Sequence, residues 1–126
     1  MEKYEKTLSI QSISSITGLS SYTLRYYEKI GLLCTVNRDE NGYRCYTETD
    51  ISCIEFLVKL RKTKMSIDDM KKFAELRRQG ESTISKRREL LEAHQKNVLQ
   101  QIKELEMDLT KINEKVDYYK KMEGES

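Results

Sequence analysis

Ser20-Ser21-Tyr22-Thr23-Leu24-Arg25-Tyr26-Tyr27-Glu28-Lys29-Ile30-Gly31 is the stretch on which the fold turns. Ser20 can cap a helix by offering its hydroxyl to an otherwise unpaired backbone N–H. Ser21 to Lys29 form the helix body, and Gly31 ends it, because glycine readily takes the left-handed conformation that closes a helix. Upstream, Ser9 caps a shorter helix running to about Thr17, with Ile10, Ile13 and Ile16 on one face. Gly18 stops that helix, and Leu19 follows as a buried turn residue. Two short helices joined by about three residues around a glycine form the helix-turn-helix pattern. Ordinary helical hairpins share this pattern, so it decides nothing about function alone.

Downstream, Leu32-Leu33-Cys34-Thr35-Val36-Asn37-Arg38 is rich in strand formers. Asn41-Gly42 is a strong hairpin signal, and Tyr43-Arg44-Cys45-Tyr46 alternates beyond it. The reading is a two-stranded wing directly after the second helix. With Asn41-Gly42 at the turn centre, Arg38 is expected opposite Cys45. Cys34 is then not the cross-strand partner of Cys45, and no disulfide is expected.

Thr47-Glu48-Thr49-Asp50 reads as a capping box with Asp in place of Glu. It opens a helix carrying Ile51, Ile54, Leu57, Val58 and Leu60, with Arg61, Lys62 and Lys64 at its C-terminal end. Cations suit that end of the helix dipole. Ser66-Ile67-Asp68-Asp69 opens another helix, carrying Ile67, Met70, Phe73, Ala74 and Leu76 and stopping at Gly80.

From Ser82 or Thr83 to about Met122 the pattern is one long helix. Ile84, Leu91, Val98, Leu105, Ile112 and Tyr119 recur every seven residues, and Ile102, Leu109 and Val116 interleave with them. Val98 to Tyr119 thus form an a/d heptad seam, weakened toward its start by Arg88 and Gln95. A helix of about 40 residues is roughly 60 Å long, too long to bury its stripe against about 80 preceding residues. The economical partner is the same helix of a second copy. The expected organisation is an N-terminal arm (1–7), a winged helix-turn-helix domain (8–80), a dimerisation helix (81–122) and a tail (123–126). The fold class is mainly α with a small wing.

Composition agrees with this reading. The chain has 126 residues, 35% charged and 37% apolar, with no Pro, no Trp and 5 Gly. Such a chain reads as mostly helical. No apolar run approaches the roughly 20 residues of a membrane span. Residues 1–6 lack the apolar core of a secretory signal, so a cytoplasmic protein is expected. Net charge is only +2. Residues 1–80 hold 14 Lys and Arg against 11 Asp and Glu, whereas residues 81–126 hold 9 against 10. The basic excess therefore lies in the first two-thirds. The three cysteines, Cys34, Cys45 and Cys53, form no CxxC and fit a reducing compartment.

The chemistry points to DNA. Ser21, Tyr22, Thr23, Arg25, Tyr26 and Tyr27 carry hydrogen-bonding groups for phosphates, and Arg25 can read guanine bidentately. For Tyr27 a core position is as good a reading, since it shares a face with Leu24. The wing adds Arg38, Asn41, Tyr43, Arg44 and Tyr46, which can follow the backbone or enter the minor groove. Arg61, Lys62 and Lys64 are further phosphate candidates. No nucleophile–base pair or phosphate loop appears, so no enzyme and no cofactor are expected.

The motifs Leu24-Arg25-Tyr26-Tyr27-Glu28…Gly31-Leu32 and Gly42-Tyr43-Arg44-Cys45-Tyr46 resemble those of the MerR family of bacterial transcription regulators. The resemblance covers about residues 8–78, and the long helix fits in position and length. It implies a winged helix-turn-helix dimer joined by an antiparallel coiled coil. It also implies a palindromic promoter with an overlong spacer, activated with RNA polymerase by bending and untwisting. Arg25, Tyr26, Tyr27, Tyr43 and Arg44 match the family's DNA-contacting motifs. Metal-sensing members bring cysteines near the start of the long helix and just beyond its end; here that helix has no Cys and only one His, His94, so no metal is expected. Members that bind organic ligands carry a separate C-terminal domain, and none is expected after Ser126. Residues 54–119 are similar to a small subgroup linked to aldehyde and thiol stress. That subgroup's cysteine would fall at Lys59, whereas this chain offers Cys53, six residues earlier. Cys53 is a candidate thiol sensor or a small buried hydrophobe.

Two rival functions share the head. A structural nucleoid or anchoring protein would use the coiled coil as a tether. A coiled-coil adaptor would bind another protein through a degenerate head, which the intact Arg and Tyr pattern disfavours.

Overall fold

A computed structural model describes residues 7–33 and 36–125. The element order is β1 (Leu8–Ser9), α1 (Ile10–Thr17), α2 (Ser21–Lys29), β2 (Asn37–Arg38), β3 (Arg44–Tyr46), α3 (Glu48–Lys62), α4 (Ile67–Arg78), a 3-10 turn (Glu81–Thr83) and α5 (Ile84–Glu125). The helices start where their caps predict. Ser9 accepts from Ser12 N, Ser20 from Thr23 N, and Ser66 from Asp69 N. At α3 the box is reciprocal: Thr47 Oγ1 accepts from Asp50 N, and Asp50 Oδ2 accepts from Thr47 N.

Gly18 sits at φ +76°, a conformation that strains a residue carrying Cβ, and its N–H closes α1 onto Ser14 O. Lys64 closes α3 in the same left-handed region, at φ +72°. Its N–H reaches Arg61 O, and Met65 N reaches Leu60 O.

The small sheet differs from expectation in two ways. It has three strands in the order β1-β3-β2, all antiparallel, not two. Leu8 pairs with Tyr46 and Ser9 with Cys45, so β3 is central. Two-residue strands are too short to show period-2 alternation, which is why β1 leaves no mark on the sequence. The hairpin register is also shifted by one. Arg38 faces Arg44 and Asn37 faces Cys45, in place of the expected Arg38–Cys45 pair. The cause is an extra loop residue. Gly42 N bonds Asp39 O, and Asp39 N bonds Tyr43 O, so the loop is a three-residue type with Gly42 left-handed at φ +83°. Asp39 Oδ1 braces it by accepting from Asn41 N and Tyr43 N. Cys34, on which the rest of the cysteine reading rested, lies outside the described residues.

The chain divides into two compact units, one running to Arg88 and one beginning at Glu89. The core belongs to the first. Ile10, Ile13, Leu24, Tyr27, Leu32, Leu33, Val36, Tyr46, Ile54, Leu57, Leu60, Met65, Met70, Phe73 and Ala74 are buried. α1 packs on both α2 and α3, and α3 on α4. Ile16, expected beside Ile10 and Ile13, is 53% exposed. Three-residue steps drift about 60° per step around a helix of 3.6 residues per turn, so the third isoleucine leaves the face of the first. Leu19 is half-buried.

α5 has 42 residues, about 63 Å at 1.5 Å per residue. None of its side chains is buried, and Ile102, Leu105, Leu109, Ile112, Val116 and Tyr119 are exposed. Among the described residues no helix is long and apolar enough to cross a membrane.

Candidate nucleic-acid interface

α2 presents two faces. Leu24 and Tyr27 point into the core. Tyr22, Arg25, Tyr26 and Lys29 point outward, three, four and seven residues apart as a single helical face requires. Tyr22 is 78% exposed at the helix start. Ser21 is half-buried, and Thr23 is drawn into the cap, its Oγ1 accepting from Ser20 Oγ.

The wing stands beside this face. Tyr43 is 71% exposed next to the tip, where Asn41 is also exposed. Arg38 is exposed and donates through Nη1 to Gly42 O at 3.0 Å, which steadies the loop. Arg44 Nε donates to Glu28 Oε2 at 2.7 Å, joining the wing to the last turn of α2. A cavity of about 540 Å³ is lined by Tyr22, Arg25, Tyr26, Glu28, Lys29 and Arg44. A second, of about 620 Å³, is lined by Arg25, Arg38, Tyr43 and Arg44 with the start of the chain's first strand. Arg25 and Arg44 border both, so helix and wing frame one basic, tyrosine-flanked groove.

Tyr46, an expected contact residue, is a core residue instead, and Tyr27 takes the core position that is one of its two readings. Tyr27 is 7% exposed, and Tyr46 is fully buried with its hydroxyl lacking a hydrogen-bond partner among the described residues. Burial pushes the Tyr46 phenol above its ordinary pKa, and the Glu28 carboxylate adds to the shift. Alternation explains Tyr46. Arg44 and Tyr46 lie on the same face of β3, and that face turns toward the helices. Both rings are buried.

Arg61, Lys62 and Lys64 are exposed at the end of α3 but line neither cavity, and Arg61 Nη1 caps Met65 O at 3.2 Å. Cys53 is half-buried on α3, and Cys45 is half-buried with its Sγ at 3.4 Å from Asn37 O. Sequence reasoning missed Lys29 and Glu28. Lys29 was legible as the seventh residue after Tyr22 on the outward face. Glu28 was not, since its partner lies 16 residues away.

A helix-turn-helix whose second helix exposes Tyr and Arg beside a basic wing defines a winged DNA-binding domain. Residues 8–76 match the model of the MerR HTH family regulatory proteins. An uncharacterized HTH-type transcriptional regulator of Haemophilus influenzae is 44% identical over 104 residues, covering 82% of this chain and 77% of that one. The uncharacterized HTH-type transcriptional regulator YyaN of Bacillus subtilis is 38% identical over 123 residues, covering 88% and 89%. The crystal structure of HiNmlR, a MerR family regulator lacking the sensor domain, bound to promoter DNA, superposes with a TM-score of 0.85 at 40% identity, covering 92% of each chain. The chain belongs to the MerR family, which comprises transcription regulators rather than enzymes.

Proposed function

We propose that the chain is a homodimeric transcription regulator that binds a palindromic promoter duplex and changes its shape, in the cytoplasm and together with RNA polymerase. The observation that carries this is the groove between α2 and the wing, where Arg25 and Arg44 line both cavities. α2 is the element for the major groove, with Tyr22, Arg25 and Tyr26 outward and Ser21 and Thr23 at its start. Arg38, Asn41, Tyr43 and Arg44 meet the flanking backbone, and Arg61, Lys62 and Lys64 serve more distant phosphates. Residues 8–80 act as the DNA-binding domain and 81–122 as the dimerisation helix, which α5 continues to Glu125.

The stripe from Val98 to Tyr119, exposed from Ile102 onward, pairs with the same stripe of a second copy. Two heads on one dimer match a two-fold symmetric site. A promoter-bound relative favours this reading over a tethering role. Cys53, half-buried on α3, is the candidate thiol sensor. A Cys53→Ser chain that still responds to a thiol-reactive aldehyde on promoter DNA would return it to the core.

Arg25→Ala tests the interface. The variant should fold and dimerise as the parent does, yet lose specific binding by tenfold or more, the order of one bidentate base contact at about 1–3 kcal/mol per copy. Titration against a duplex selected by the parent dimer reads this out, and unchanged affinity would remove α2 from the recognition role.

A further inference from the structure

We propose that Glu28 is a positioning residue for DNA recognition: it locks Arg44 of the wing onto the recognition helix, so that helix and wing meet the duplex as one piece. The inference rests on the DNA-binding reading above.

Glu28 occupies an unfavourable place. It lies in the last turn of α2, where the helix dipole is negative and disfavours a carboxylate. It is also the acid among the charged residues lining the 540 Å³ cavity, where Arg25, Lys29 and Arg44 are the others. The phosphates of a bound duplex would be repelled by it. Both effects oppose a carboxylate here, and neither helps bind DNA.

What offsets them is the tie to the wing. Arg44 Nε meets Glu28 Oε2 at 2.7 Å, and each side chain is only about a fifth exposed, 21% and 20%. Arg44 faces Arg38 directly across β2 and β3, and like charges in that position destabilise a hairpin. The Glu28 carboxylate neutralises one of them. Tyr46, two residues along the same face, is wholly buried but offers no polar link, since its hydroxyl has no partner among the described residues. The short strands of the wing, two residues in β2 and three in β3, give it little stiffness of its own. β1 pairs with β3 on its other side, Tyr46 packs below, and the Glu28–Arg44 ion pair is what joins the wing to the last turn of α2.

A positioning role predicts a loss of specificity without a loss of general DNA affinity. The full-length dimer first selects a duplex from a random-sequence library at near-physiological salt. Affinities for that duplex and for a scrambled duplex of equal length are then measured for the parent, Glu28→Gln, Arg44→Gln and the double variant. Glu28→Gln should bind the scrambled duplex as well as the parent or better, because one repulsive charge is gone. Its specificity ratio should fall about tenfold. In the Arg44→Gln background the same change should cost nothing further in that ratio, since Glu28 acts through Arg44. Should Glu28→Gln fail to fold, Glu28→Asp keeps the charge and shortens the reach, and it too should lower the ratio at unchanged scrambled-duplex affinity. A ratio equal to the parent's, or an equal loss in both Arg44 backgrounds, overturns the proposal while leaving the DNA-binding reading intact. Failure of the parent to enrich any duplex overturns both.

Discussion

Tyr46 shows how little residue type alone says about role. The same phenol sits at Tyr22, Tyr43 and Tyr46, yet the first two are open to solvent and the third is sealed in the core. A buried hydroxyl without a partner costs stability, so Tyr46→Phe should leave stability unchanged or raise it by up to about 1 kcal/mol. A urea midpoint at or above the parent's is the expected result, and DNA affinity should not change. Lys64 poses the opposite case. It is a lysine held at φ +72°, where glycine belongs. Lys64→Gly should stabilise the fold by about 0.5–1 kcal/mol through relief of that strain. If the Lys64 ammonium also serves a phosphate, the same variant should bind DNA more weakly and with a shallower salt dependence, by about one unit of slope per copy and about two for the dimer. Stability rising while affinity falls would mean that backbone strain is retained for binding.

At the scale of elements, the helix starts were legible because their signals are local. A hydroxyl at the cap and the backbone N–H that it serves lie within three residues, and α1, α2, α3 and α4 all begin as those pairs predict. α3 carries the most complete of these caps. Thr47→Ala removes one half of its reciprocal box and should cost about 1 kcal/mol, read as a lowered thermal midpoint. Loss of less than a few tenths would show that packing of Ile54, Leu57 and Leu60 sets the start of α3 without the cap. The strands were less legible. The run from Leu32 looked like one strand, but Leu32 and Leu33 are core residues ahead of a two-residue β2. Their hydrophobicity serves the packing of helices, which a β-propensity reading cannot distinguish from strand formation.

At the scale of the whole molecule, the apolar stripe of α5 is the surface that the proposed dimer would bury. Leu109 is 54% exposed, in the middle of a stripe that two copies would bury together. Leu109→Lys should place a charge from each copy in that seam and convert the dimer to monomer at micromolar concentration, as sedimentation equilibrium would show. The monomer should then bind half-sites only, with a salt slope about half that of the dimer. A stable dimer of this variant would move the interface off the Val98–Tyr119 stripe.

Sequence by itself determined the helix starts, the turn glycines, the heptad seam, the class of the domain and the candidacy of Tyr22, Arg25 and Tyr26 on α2. Each of those rests on residues a few positions apart, or on a period repeated along one helix, so no distant partner is needed to read them. Tertiary structure alone decided that Tyr27 and Tyr46 are core, that Leu8–Ser9 adds a third strand, that the hairpin shifts by one residue, and that Glu28 holds Arg44 across 16 positions. Those outcomes depend on which surfaces meet when α1, α2, α3 and the wing pack. Contact between surfaces distant in sequence is set by shape, burial and charge together, which no short window of residues contains.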